Sequence, residues 1–177
     1  MSEIHDKPQV DEAPKVDLAG NSWELPTDLR IMDQVRNEIE RRLKELNWGD
    51  ADQYRVILAF DELIINAIAH GNQALGSYKG ESGQLYEASV ALSKGSPSEK
   101  KVFVKFAVEA DRASGEVRDQ GQGFEPTNQA DQAVTGNLMN PYGKGYLVLK
   151  RTLDQIQYQK EDGIGTTVTF SYTRKEI

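Results

Sequence analysis

The stretch from Val56 to Asn72 limits most strongly what this chain can become. Val56, Ile57, Leu58, Phe60, Leu63, Ile64, Ile65 and Ile68 leave almost no polar face. Their periodicity predicts a helix, and a helix so apolar must be covered on most sides. Residues four apart in a helix share a face, so Glu62, Asn66 and His70 form one polar line. A carboxylate and an amide in such a helix need partners or a cleft. The paired glycines Gly121/Gly123 and Gly143/Gly145 are candidates for the opposite wall of that cleft.

The flanking segments offer that cover. Trp23–Pro26 is extended and stopped by its proline. Thr27 or Asp28 caps a helix through Leu46, with Met32, Val35, Ile39, Leu43 and Leu46 at steps of three and four. Asn47, Trp48 and Gly49 end it, and Asp50 caps the long apolar helix, which is expected to reach about Leu75. Residues 76–83 read as a polar loop. In Leu85–Ser93 the alternation of Tyr86, Ala88, Val90 and Leu92 predicts a strand. Val102, Val104, Phe106 and Val108 predict a second strand, with a hairpin partner at Gly115–Asp119. Residues 120–143 read as a long loop, a length that is uncommon without a function. A helix over Gly145–Leu153 follows. Then come strands at Ile156–Gln159 and Thr167–Tyr172, joined by a turn at Asp162–Gly165. This order predicts an α+β fold, a two-layer sandwich of one mostly antiparallel sheet with helices on one face.

The polar, acidic residues 1–20 read as a disordered tail and residues 21–177 as a single domain. A net charge of −7 argues against nucleic acid or an anionic membrane as partner. It leaves room for a nucleotide, because backbone amides bind phosphate on an acidic protein. With no cysteine, disulfides and thiolate chemistry are excluded, and two histidines (His5 and His70) argue against a histidine-rich metal site. The chain shows no apolar run of membrane-spanning length and no signal-peptide core, so a cytoplasmic protein is expected.

Four motifs carry possible chemistry. Asp119, Gly121 and Gly123 place an acid at a strand end before two spaced glycines. That pattern lets a ligand approach the backbone while the acid accepts from an exocyclic amine, and it is also the pattern of a plain turn. Gly143, Lys144 and Gly145 open a helix whose amides and lysine suit a phosphate, or form a hinge. Thr166 opens the last strand within a turn. On the apolar helix, the Asn66 amide suits Mg²⁺, a hard cation that leans on substrate phosphates. Glu62, one turn away, suits deprotonation of a hydroxyl. The same line also fits an ordinary solvent stripe, and His70 fits a structural role. Asp61 lies about 100° around the helix from Glu62, so the two are not an acid/base pair.

In this order the motifs resemble the Bergerat-type ATP-binding fold shared by gyrase, the ninety-kilodalton heat-shock chaperones, histidine kinases and MutL (GHKL). They are Glu62-x-x-x-Asn66, Asp119-x-Gly121-x-Gly123-Phe124, the polar loop, Gly143-x-Gly145 and Gly165-Thr166-Thr167. Within that group, Glu62 to Gly71 is similar to the anti-sigma-factor serine/threonine kinases. The resemblance spans about Trp23–Tyr172. It implies ATP and Mg²⁺ as cofactors, with Asn66 holding the metal and Glu62 as general base for a partner's hydroxyl. It implies that Asp119 reads the adenine amine, that Gly121 and Gly123 line base and ribose, and that Thr166 sits near the adenine. Residues 125–142 correspond to a mobile lid, and Gly143, Lys144 and Gly145 meet the phosphates. The implied partners are a sigma factor, an anti-anti-sigma protein of the STAS type as phosphoacceptor and, as in many members, a second copy of the chain.

One departure leaves a second reading open. Many members carry an arginine just before the final lid glycines, where this chain has Asn140-Pro141-Tyr142. Lys144 offers a point charge in place of a fork. The alternative is a nucleotide-gated partner-switching module that does not catalyse transfer. A detached histidine-kinase domain is disfavoured, because no phosphoacceptor helix with its histidine is present.

Overall fold

The computed structural model describes residues 11–75, 82–121 and 141–175. Strand β1 (Ser22–Pro26) leads through a 3-10 turn (Leu29–Ile31) into α1 (Met32–Glu45). Helix α2 (Asp50–Ile65) continues into a π-helical segment, Asn66–Asn72. Then follow α3 (Ser82–Gly95), β2 (Lys101–Val108), β3 (Arg112–Arg118), α4 (Pro141–Thr152), β4 (Gln155–Glu161) and β5 (Gly165–Thr173). The five strands form one antiparallel sheet in the order β1-β2-β3-β5-β4. No described helix is long and apolar enough to cross a membrane.

Period-two patterning sets which sheet face is covered. Register pairs Val104 with Val117 and Phe106 with Gly115. It also pairs Val117 with Val168 and Ala113 with Tyr172. These residues are buried under the helices, while Lys105, Ala107 and Gln157 on the other face are exposed. Helix α2 lies at the centre. The Phe60 ring meets Phe106 and Phe170 edge-on, with centroids 5.1 and 4.9 Å apart, geometries that aromatic quadrupoles favour. Met32, Val35, Ile39 and Leu43 of α1 close the core from outside.

Local signals account for most boundaries. The Asp28 carboxylate accepts from Arg30 N at 3.0 Å and starts the first turn. Gly49, not Asp50, is the extended cap of α2. Asp50 falls one position later, where its charge still favours the helix N-terminus. Asn47, with φ of 57°, turns the chain after α1.

Two further expectations change. Leu85–Ser93 is helical, within α3, and not a strand. Its apolar residues alternate, but the buried residues with hydroxyls, Ser89 and Ser93, are four apart, which is the helical spacing. Gln73 donates to Ser93 Oγ (3.0 Å) and to Ser89 O (3.1 Å), and Ser93 Oγ donates to Thr27 O (3.0 Å). As a strand this stretch would have left those hydroxyls without partners, at a cost of about 1–3 kcal/mol each.

Residues 11–20, read from composition as tail, lie against α1. Gln34 accepts from Val16 N (3.2 Å) and donates to Pro14 O (2.7 Å). Arg42, two turns along the same face, donates to Leu18 O (2.8 Å) and Gly20 O (2.7 Å). Val16 and Leu18 pack partly buried against the core.

Candidate functional site

The polar line on the central helix does not stay straight. Backbone geometry changes from α to π at Asn66, a distortion that often accompanies a functional site. Asn66 and Ala67, together with Leu63 of α2, line a cleft with about 320 Å³ of empty space, part of it open to solvent. Val117, Asp119, Tyr158, Thr166 and Val168 complete its wall. The enclosed part of that space is only about 20 Å³, room for about one water molecule and far below the roughly 300–1,000 Å³ of a small-molecule site. His70 lies outside this lining. Burial lowers its pKa, only partly offset by a hydrogen bond with the Leu75 backbone, so it stays neutral near pH 7. This fits a structural role.

Asp119 follows the last residue of β3 and is buried. Its Oδ1 accepts from Gly121 N (2.9 Å) and from Thr166 N (3.2 Å). Its own N–H donates to Thr166 O at 3.0 Å. These bonds join the ends of β3 and β5 and orient the carboxylate. Burial pushes its pKa up, opposed by the two amides. Among the described residues no hydrogen-bond donor takes Oδ2. One carboxylate oxygen is thus committed to the fold, and the other accepts no hydrogen bond among the described residues.

Asn66 and Glu62 have the same openness. Among the described residues, neither the Asn66 amide nor the Glu62 carboxylate has a hydrogen-bond partner. Glu62 is half-buried beside the first turns of α4, where a Cβ at Gly145 would overlap Glu62 Oε2. Burial pushes the Glu62 carboxyl above its ordinary value, and the nearby Asp61 charge adds to this. Asp61 itself is tied to Arg36, whose Nε donates to both carboxylate oxygens at 2.9 and 2.8 Å. The structure therefore separates the neighbours. Asp61 serves an ion pair between helices, and Glu62 is left unpaired with a raised affinity for a proton.

Of the other motif residues, Gly121 packs against the chain itself: a Cβ there would overlap Gly71 O. The close approach that demands glycine at 121 is thus to the π segment. Gly143 and Lys144 fall within the first turn of α4. Gly123 and most of the expected lid lie outside the described residues. The sequence reading passed over Leu63 and Ala67, although with Asn66 they occupy one helical face. Tyr158 and Val168 are opposed across β4 and β5, a pairing with no local sequence signal.

Comparison with known proteins bears on this architecture. Residues 88–172 match the family model described as a histidine kinase-like ATPase domain. The antiparallel sheet with helices is an α+β fold consistent with such a domain. The match includes Asp119, Gly145 and Thr166 but begins after the helix that carries Glu62 and Asn66. The chain is also similar in fold to the crystal structure of the RsbU and RsbW domains of Rv1364c from Mycobacterium tuberculosis. That likeness has a TM-score of 0.53 and 15% identity, over 89% of this chain and 34% of the other. The chain thus spans about a third of the length of that solved chain. A comparison with curated proteins finds no match.

Proposed function

We propose that this chain binds ATP with Mg²⁺ and transfers its terminal phosphoryl group to a serine or threonine of a protein partner. In this reading it is an anti-sigma regulator that sequesters a sigma factor. Its phosphoacceptor is an anti-anti-sigma protein of the STAS type. The observation that carries the proposal is the set of open polar groups at one end of α2. Asp119 and Asn66 line the cleft, and Glu62 stands one turn from Asn66 with no partner among the described residues. The fold likeness and the family match support the nucleotide, and the RsbW domain in the similar structure supports the partner class.

The residues present fit Mg²⁺ of the sparsely held kind. Among the described residues no group of three or more His, Cys, Asp or Glu could form a cage. A single amide oxygen at Asn66, with waters and phosphate oxygens as the other ligands, suits that ion. When bound, the metal supplies charge neutralisation on the phosphates. Asp119 accepts from the adenine amine, and the buried Thr166 holds the Asp119 backbone and side chain in place. Gly143, Lys144 and Gly145 bring amides and a cation to the phosphates. Glu62 accepts the proton of the attacking hydroxyl, and burial raises its proton affinity for that task. Phosphoryl transfer depends chiefly on positioning and charge, so this small set suffices.

The test is calorimetric titration with ATP, with and without Mg²⁺, of the native protein and Asn66→Ala, followed by transfer of labelled phosphate to a co-purified partner. Mg²⁺-dependent binding that Asn66→Ala loses supports the site. Absence of binding at millimolar ATP refutes it. One sequence observation favours a second reading, since Asn140-Pro141-Tyr142 stands where an arginine is expected. If ATP binds and no transfer follows, the chain is a nucleotide-gated binding module.

A further inference from the structure

Asn72 is the last residue of the π segment that Asn66 begins. It is buried, with 7% of its surface exposed, and it lies outside the cleft lining. Three of the four hydrogen-bonding sites of its side chain are used. Its Nδ2 donates to Thr27 Oγ1 at 2.8 Å and to Lys101 O at 3.0 Å. Its Oδ1 accepts from Gln120 N at 2.8 Å. Gln120 lies between Asp119 and Gly121, so that last bond grips the backbone of the loop that presents the Asp119 carboxylate. One bond between its anchoring segments and one further bond to the loop complete the arrangement. Thr27 Oγ1 donates to Lys100 O at 2.6 Å, and Gln120 Oε1 accepts from Lys101 N at 2.7 Å. Immediately before Asn72, Gly71 lets the carboxylate come close: a Cβ there would sit 2.6 Å from Asp119 Cγ.

We infer that Asn72 is a positioning residue for nucleotide selection. By tying the Gln120 amide to the ends of β1 and β2, it sets the height at which Asp119 Oδ2 meets a purine amine. The inference rests on the ATP reading of the cleft. The physical argument is one of constraint. Asp119 Oδ1 is already fixed by Gly121 N and Thr166 N, and Gly121 N belongs to the strand of chain that Asn72 anchors. If the Gln120 amide is released, the Gly121 amide can drift and the carboxylate can rotate. A hydrogen bond weakens steeply with misalignment. The bond to an exocyclic amine would therefore suffer before the phosphate contacts, which come from other elements.

Calorimetric titration with ATP and with ITP, which carries an oxygen where adenine has its amine, tests this directly. The proteins are native, Asp119→Asn, Asn72→Ala, Asn72→Asp and the Asn72→Ala/Asp119→Asn double variant. The native protein is expected to prefer ATP by about tenfold or more, the scale of one hydrogen bond to a charged group. Asn72→Ala should reduce that ratio at least about threefold, and the double variant should fall no lower than Asp119→Asn alone, because the two residues act on one contact. Asn72→Asp keeps an oxygen facing Gln120 N, so its ATP/ITP ratio should stay nearer the native value even where its melting temperature drops. A merely structural role would lower melting temperatures and leave every ratio unchanged, which overturns the inference. If Asn72→Ala does not fold, Asn72→Ser, which also withdraws the amide oxygen from Gln120 N, takes its place: a ratio reduced toward that of Asp119→Asn supports the inference, and a native ratio overturns it. A native protein with no preference for ATP, or an Asp119→Asn variant that keeps it, refutes the reading of the cleft and the inference with it. A native preference lost in Asp119→Asn and intact in Asn72→Ala refutes the inference alone.

Discussion

Helix α2 carries a buried or half-buried carboxylate near each end, and the two ends are treated in opposite ways. At the N-terminal end Asp52 is fully buried. Its Oδ1 accepts from the Tyr172 hydroxyl and from Arg55 at 3.2 Å, and its Oδ2 accepts from Lys175 N at 3.1 Å. Burial and the Asp52 carboxylate push the Tyr172 hydroxyl up to about 12, so that hydroxyl keeps its proton as donor. This cluster pins the chain after β5 onto the helix. At the C-terminal end Glu62 and Asn66 have no hydrogen-bond partners among the described residues. The difference shows where a buried polar group serves folding and where it is held ready. A satisfied group has little left to offer a ligand, and an unsatisfied one costs stability unless a ligand completes it.

The strongest way to break this comparison is at Glu62. Glu62→Gln should cut phosphoryl transfer to the protein partner by about 10²–10⁴-fold, the usual contribution of a general base. ATP affinity by calorimetry should hardly change. Transfer at the native rate would remove Glu62 from the chemistry. At the other end, Asp52→Ala should lose about 3 kcal/mol in denaturant unfolding, because it strands the Tyr172 hydroxyl and the Lys175 amide. Its ATP affinity, measured below its melting temperature, should stay native. A loss under about 1 kcal/mol would show that the cluster is not the anchor described.

Asn66→Ala should show the converse pattern, with unfolding free energy within about 0.5 kcal/mol of native and Mg²⁺-dependent ATP binding weakened about tenfold or more. A stability loss as large as that of Asp52→Ala would mean that the amide serves the fold.

The smallest effect is a pH dependence. Burial raises the Glu62 pKa in the folded state, so that state holds the proton more tightly than the unfolded chain does. Wild-type stability therefore falls as pH rises from the ordinary glutamate range through the raised value. Glu62→Gln lacks this penalty. It should be the more stable protein at neutral pH, and the advantage should vanish below the ordinary glutamate range. Denaturant curves at pH 4 and pH 7 check the sign. An advantage that grows toward acid would contradict the cause given for the shift.

Much of this was legible before any coordinates. The apolar content of Val56–Ile68 demanded a covered central helix, and the alternation in Val102–Val108 and Thr167–Tyr172 marked the sheet faces. Glu62 and Asn66 stand out because polar groups on so apolar a helix need a reason, and Asp119 because an acid at a strand end precedes two spaced glycines. These are local properties, set by side-chain period and burial cost. Three features were decided only in three dimensions. The segment Leu85–Ser93 has a strand's alternation, yet Gln73 and Thr27, distant in sequence, satisfy its serines only when it is a helix. His70, which a helical wheel places on the face of Asn66, falls in the π segment and outside the cleft lining. Asn72 looks like an ordinary polar residue at a helix end, and its importance comes from Thr27, Lys101 and Gln120, which β1, β2 and the Asp119 loop bring to it. A sequence states which groups must be buried or paired. Which partner each one finds depends on contacts between elements far apart in the chain, and these form only when the sheet assembles.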